Sequence, residues 1–579
     1  MTSTLAPQLN TSRRRWFRAA FVLPLLVCVV ATAQQPTPPS KPQANSILDY
    51  IHKSWDTLSR SMTDCHSLID PKLNGAPSVL YLPADVSIPA DVAALKSQCN
   101  VDVEHLPKVV TSFGELKLTD IPKPGLLYLP NKYVVPGGRF NEMYGWDSYF
   151  IILGLLGEGR TDLARGMVEN FFYEIENYGG ILNANRTYYF TRSQPPFLSS
   201  MIRGVYEAAP AGPQQRKAKV WLARAYSYAQ KDHDLWTSDI HHAGNTGLAR
   251  YYDIGKGPVP EQEDDSSYYP DVIRWLLAHP EVKTDYLVDA PDNPNAAQQG
   301  MLAKLSCDPR TSHVCARAHV DGHWLTADYY KGDRAMRESG FDPSFRFGPF
   351  SGSTHHYAPI CLNSLLYKYE RDLAWMAMTL GKPADAAKWN AAAEARKAAI
   401  NKYLWNADKG MYFDYDYEKE EQSSYNYITT LYPLWAGVAD ATQIAGVEKS
   451  LKLLEQPGGI AMSDTNSGTQ WDLPFGWAPP SWIAIDGLVL AGDAADAVRT
   501  SQEFSKTIEE GFDHDKTIRE KYNVVSGNAK VEVATGYKMN VVGFGWTNAV
   551  YLEMQNVIAN NGANNGANTR TDKGKAAGK

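Results

Sequence analysis

The chain has 579 residues, a net charge of −7, and 44% apolar and 21% charged residues. That length can bury a sizeable core, and the interleaved charges leave no basic footprint for nucleic acid. With 15 Trp and 33 Tyr, flat rings suited to sugar faces are plentiful, though they suit cores equally well.

The first residues read as a targeting segment. Arg13, Arg14, Arg15 and Arg18 precede an apolar run from Ala19 to Val30, and Ala31-Thr32-Ala33 supplies a small-residue cleavage pattern. The run is too short to span a bilayer comfortably. Residues 1–33 are therefore expected to be a signal peptide cleaved near Ala33, giving an exported protein, periplasmic or secreted, without stable membrane insertion. Ser12-Arg13-Arg14 also permits a twin-arginine route. Residues 34–45, rich in Pro and Gln, are expected to be a flexible linker, and the Asn/Gly/Ala/Lys tail 560–579 to be disordered. Five cysteines follow the leader. Cys307 and Cys315 are close enough to close a short loop, Cys65 and Cys99 can clip the N-terminal region, and Cys361 is left over; the pairing stays open. No CxxC pair or HExxH occurs, so no dedicated zinc site is expected.

ILDYIHKSWDTL, between Ser46 and Ser59, has helical spacing. The stretch 71–129 reads as extended connections with short strands in runs such as SVLYLP and GLLYLP, and 46–129 as an N-terminal extension. Beyond Tyr144 the pattern predicts helices over 147–157, 160–176, 215–231, 269–278, 361–380, 384–404, 424–436, 440–454, 480–492, 494–510 and 544–559. Many come in pairs joined by short polar links. Paired helices over about 430 residues with little strand-like alternation predict an all-α closed toroid, within a domain of 46–559. Long polar loops rich in aromatics, Arg, Asp and Glu interrupt the helices, and loops on a rigid scaffold are where binding residues sit.

Two of these loops carry a resemblance. PGGRFNEMYGWDSYF (136–150) and QWDLPFGWAP (470–479) resemble the two signature motifs of trehalases of glycoside hydrolase family 37. NANRTYYFTRSQPPF (183–197), ESGFDPSFRF (338–347), EKYNV (520–524) and GFGWTN (543–548) are similar to further family segments. The resemblance implies an (α/α)6 toroid that hydrolyses α,α-trehalose to two glucoses with inversion, without metal or other cofactor. By motif position Asp342 matches the general acid and Glu520 the general base. Arg139, Trp146, Asp147, Asn183, Arg192, Gln194, Glu261, Gly340 and Trp471 match substrate-binding positions.

The chemistry fits that assignment. Inversion needs one carboxyl to protonate the leaving oxygen and another to activate water on the opposite face, about 6.5–9.5 Å away. Taken alone, Asp342 reads as a turn cap before Pro343 and Glu520 as a surface charge in REK. Phe341 and Pro343 give Asp342 an apolar setting that raises its pKa, and Arg519 and Lys521 favour ionised Glu520. Asp147 can accept from two sugar hydroxyls, and Arg139 and Arg192 supply donor forks. Trp146, Trp471 and Trp477 offer stacking faces or core packing, and Asp472 reads as a ligand or an orienting acceptor. Three departures stand out. Val259-Pro260-Glu261 replaces Arg-Pro-Glu, Phe475 replaces Asn, and 525–542 lacks the Gly-rich lid with Glu-Tyr, where Glu532 is the available substitute. They fall on the second sugar's side. They leave two alternatives: an α-glucosidase of the same fold acting on another α-linked disaccharide, or a catalytically weak sugar-binding relative.

Overall fold

A computed structural model describes residues 46–69, 77–210, 212–262, 267–310, 312–534 and 539–562. The expected leader, linker and nearly all of the expected tail lie outside them. Six inner helices follow one another around a ring: Gly145–Gly157, Leu198–Glu207, Ile360–Leu380, Tyr432–Ala436, Ala478–Ala491 and Gly545–Gly562. The last packs back on the first. Thr161–Asn177, Pro213–Trp236, Pro383–Tyr403 and Ala494–Asp515 back the first, second, third and fifth inner helices, and Ile47–Thr57 lies against the last. Ala441–Ser450 follows the fourth in the chain. This is the (α/α)6 toroid.

The two rings differ in pattern because they differ in exposure. Gly145 through Ile152 and Ala478 through Ile485 are buried without a break, as a helix flanked on all sides must be. The outer helix Ala494–Asp515 instead buries a stripe of Ala497, Ser501, Phe504, Ile508 and Phe512. Three inner helices stop on left-handed glycines, Gly381, Gly437 and Gly492. Pro383 at a first helical position, or Asp440 and Asp493 as caps, then starts the outer partner.

Two local expectations are corrected, and a third, the short strands within 71–129, gains its topology. Within 424–436 the chain forms a 3-10 turn, Ile428–Leu431, before the short helix Tyr432–Ala436, because Pro433 fits only a helix's first turn. Leu198–Glu207 is a helix absent from the expected set although Leu198, Met201, Ile202, Val205 and Tyr206 stand at helical spacing, and Ala327–Ser339 is one that the apolar pattern does not announce. Within 71–129, SVLYLP and GLLYLP join one parallel sheet, with Ser78–Leu82 between Val101–His105 and Leu126–Leu127 and the helix Ala90–Gln98 crossing over. Cys65 pairs with Cys99 and Cys307 with Cys315, leaving Cys361 as a buried thiol. The second bridge lies in an excursion with its own three-stranded sheet, Leu287–Asp289, His319–Val320 and His323–Leu325. Among the described residues no helix is long and apolar enough to cross a membrane.

Candidate active site

Helix Gly145–Gly157 opens with Trp146 and Asp147, and the loop 183–197 is stitched to its mouth. The Trp146 amide donates to Gln194 Oε1 at 2.9 Å, and the Gly145 amide to the Asn183 carbonyl at 3.2 Å. Glu142, fully buried, pairs with Arg186 of the same loop, so one charge of the opening stretch is structural. The second signature clasps the acid loop. Gln470 Nε2 donates to the Asp342 carbonyl at 2.5 Å, and the Trp471 amide to the Pro343 carbonyl at 3.2 Å. Strands Phe475–Trp477 and Lys521–Asn523 pair, which brings the base loop alongside. Lys521 Nζ then reaches Gln470 Oε1 at 3.1 Å and Glu520 Oε2 at 3.2 Å. A continuous path thus runs from the Asp342 loop through Gln470 and Lys521 to Glu520.

Three carboxyl groups share this space. Burial pushes Asp342 up to about 6, although Arg337, 3.6 Å away, and Arg192 pull it down; Glu261 and Asp333 add to the rise. Its side chain nonetheless keeps 36% of its surface open, as an acid that must meet substrate requires. Burial also holds Asp147 well above the ordinary carboxyl range. Its own backbone N–H opposes the rise, while the charges of Glu520 and Asp342 reinforce it. Asp147 therefore senses both proposed catalytic groups. Of the two cations expected beside Glu520, only Lys521 is there, because Arg519 is taken by Asp515.

Arg192 is the hub of the binding side. It pairs with Glu261, donates from Nε to Asn183 Oδ1 at 3.2 Å, and stacks over Tyr189 at 4.8 Å. Burial would raise Glu261, but the charges of Arg192 and Arg337 outweigh it and hold it low. Arg337 escaped the sequence reading. It supplies positive charge to Glu261, where position 259 does not. Val259 is fully buried, and its amide donates to Tyr269 Oη at 3.0 Å. Tyr269 and Tyr268 donate to Asp333 at 2.8 and 3.2 Å, and Asp333 holds Arg337 at 3.2 Å. Glu338, also missed, accepts from the Ser193 and Tyr252 amides and joins two more loops to the same helix. The signal available was the GDRAMRE run leading into the acid motif, with two acid–base pairs, Asp333–Arg337 and Arg334–Glu338, each four residues apart.

The aromatics divide by role. Trp146 is packed among Phe341, Trp471 and Trp546. Trp471 has one face covered by Trp477, 3.8 Å away and nearly parallel, so Trp477 is core. Gly340 has φ +78°, and a Cβ there would lie 2.8 Å from the Trp146 ring, so close approach and backbone together demand glycine. Arg139 joins the group through ring contacts, lying 4.9 Å over Phe140, which meets Tyr144 and, through it, Tyr189. Asp472 is an orienting acceptor, taking hydrogen bonds from the Phe345 amide, Ser463, Ser467 and Thr469. Phe475 is buried in the strand pair. Glu532 is exposed, and 535–538 of the expected lid lie outside the described residues.

The family model for trehalase matches residues 40–286 and 325–559. The chain belongs to the trehalase family. A probable trehalase of Eremothecium gossypii is 34% identical over 86% of this chain and 71% of its own length. A probable trehalase of Saccharomyces cerevisiae is 36% identical over 82% of this chain and 63% of its own. The solved neutral trehalase Nth1 from Saccharomyces cerevisiae superposes with a TM-score of 0.71 at 32% identity, covering 89% of this chain and 94% of that one. The chain spans between 62% and 72% of the length of the curated trehalases it matches. The gap between the two matched blocks falls on the disulfide-closed excursion. The comparison also overturns the expectation of a signal peptide and a periplasmic or secreted location. Relatives 32–35% identical over 78–86% of this chain, from Kluyveromyces lactis to Pyricularia oryzae, are cytosolic neutral trehalases.

Proposed function

We infer that this trehalase hydrolyses α,α-trehalose to two glucose molecules by a single displacement, with Asp342 as general acid and Glu520 as general base. The observation that carries the reading is the Asp342–Gln470–Lys521–Glu520 path, which ties two carboxyl groups from distant loops to one site. Asp342, protonated up to about pH 6, gives its proton to the glycosidic oxygen as the C1–O bond breaks. Glu520 takes a proton from a water that attacks C1 from the opposite face. One glucose leaves as the β-anomer and the other keeps its α-configuration.

The remaining residues bind. Asp147 and Asn183 accept and donate to sugar hydroxyls beside the reacting carbon, with Gln194 fixing the start of the helix that carries Asp147. Arg192, Glu261 and Arg337 form an alternating charged wall matched to hydroxyls that both donate and accept. Trp146 and Gly340 close the apolar side, and Arg139 lies at the rim.

The test is glucose release from a panel of α-linked disaccharides, with the anomer followed by NMR. The expected result is rapid release from trehalose, with β- and α-glucose appearing together in equal amounts before mutarotation. Preference for maltose or kojibiose would refute the substrate, and α-anomer alone would refute inversion.

A further inference from the structure

Among the described residues, one cluster of ligating side chains apart from the sugar site stands close enough together to hold a metal ion. Asp328 is the second residue of helix Ala327–Ser339, and His355 and His356 end the 3-10 turn Thr354–His356. Asp328 Oδ1 lies 3.0 Å from His355 Nε2 and 3.4 Å from His356 Nε2. The donor atoms of all three residues lie within 4.8 Å of one another. Tetrahedral ligands at about 2.0–2.2 Å from zinc stand about 3.3–3.6 Å apart, close to the 3.0 and 3.4 Å from Asp328 to the two imidazoles.

The surroundings suit ligation. The two histidines are held at the main chain: the His355 carbonyl accepts from Tyr417 Oη at 2.7 Å, and the Tyr417 amide donates to the His356 carbonyl at 3.0 Å. Hydrogen bonds from both histidines hold Asp328 as a carboxylate. The cluster offers one carboxylate oxygen and two imidazole nitrogens, a donor set suited to zinc. Asp328 and His356 face solvent, 53% and 28% exposed, which leaves an entry path and room for water as a fourth ligand.

We propose that Asp328, His355 and His356 form a three-residue site for a divalent cation of the zinc type, separate from the sugar site. The acid loop lies between its two halves in sequence, Asp342 falling midway between Asp328 and the histidines. A bound ion would tie the start of the helix that carries Asp333 and Arg337 to the turn that follows the acid loop.

The experiment uses the full, untagged chain stripped with a chelator and titrated with zinc by calorimetry, with cobalt(II) as a spectroscopic probe. One zinc per chain, tetrahedral cobalt bands and a rise in melting temperature with zinc are expected. His356→Ala and Asp328→Asn, both at exposed positions, should weaken binding by at least the ~10–100-fold that loss of an outer-shell partner costs. Both should hydrolyse trehalose at the unliganded wild-type rate. No zinc bound by the wild type overturns the site, as does unchanged affinity in both variants.

Discussion

As the proposed general acid, Asp342 must keep a proton with an arginine 3.6 Å away, and burial wins that contest at about 6. Because the acid works protonated, kcat/KM should fall on the alkaline side with an apparent pKa near that value. Arg337→Met removes the largest opposing charge, so the same limb should move to higher pH while the rate falls; a limb that stays put would separate Asp342 from the profile. Asp342→Asn and Glu520→Gln should each lower kcat by ~10²–10⁴-fold with unchanged melting temperature. The proposal of these two carboxyls starts from the long family segments that surround them. Arg337 was not legible in this way: in sequence it is an ordinary i,i+4 partner of Asp333, and only the folded helix shows the pair buried and turned toward Glu261 and Asp342. Val259 and Phe475, read as losses of binding groups, are buried packing positions.

At the scale of the helix, apolar periodicity marks the long elements, while short ones and those that bury charge escape it. The outer helices show an apolar stripe and the inner ones unbroken apolar runs. Leu198–Glu207 carries a regular stripe, Leu198, Met201, Ile202, Val205 and Tyr206, but spans only ten residues, while Ala327–Ser339 buries charges that a hydrophobic pattern reads as surface. Thr161–Asn177 carries a buried charge of the same kind. Glu174 is fully enclosed, accepts from the Leu182 amide at 3.1 Å, and is pushed up by burial to about 8. Its folded pKa lies above the ordinary 4.5, so its share of stability is complete below pH 4.5 and is lost as pH rises through about 8. Glu174→Gln keeps an acceptor for Leu182 and removes the titration. The melting-temperature difference, variant minus wild type, should therefore grow in the variant's favour between pH 5 and pH 9. A difference independent of pH would mean that Glu174 does not titrate in the folded protein.

Ring closure is a property of the whole chain that no local stretch displays. Each inner helix announces only that it is buried, and the toroid became legible through the pairing of helices and the family segments. What closes the ring is contact between residues hundreds of positions apart. Asn548 donates to Ser54 at 2.8 Å, and the Gly545 amide to the Pro136 carbonyl at 2.6 Å. Gly154, on the first inner helix, sits where the last inner helix and the N-terminal helix meet it. A Cβ there would lie 2.8 Å from Ala549 and 2.9 Å from Trp55. Gly154→Ala should therefore destabilise by about 1–3 kcal/mol through overpacking at the seam, despite the better helix propensity of alanine. Gly300 provides the opposite case: it lies in helix Ala296–Lys304 with open space around its missing Cβ. There the same substitution should stabilise by about 0.5–1 kcal/mol. Urea midpoints of the two variants at constant m should move in opposite directions. If both rose, the seam would have slack and closure would not depend on the close approach at Gly154. If Gly154→Ala alone fell and lost trehalose hydrolysis in step with its fold, the seam would be what holds Trp146 and Asp147, two turns away on the same helix, in register with the catalytic loops.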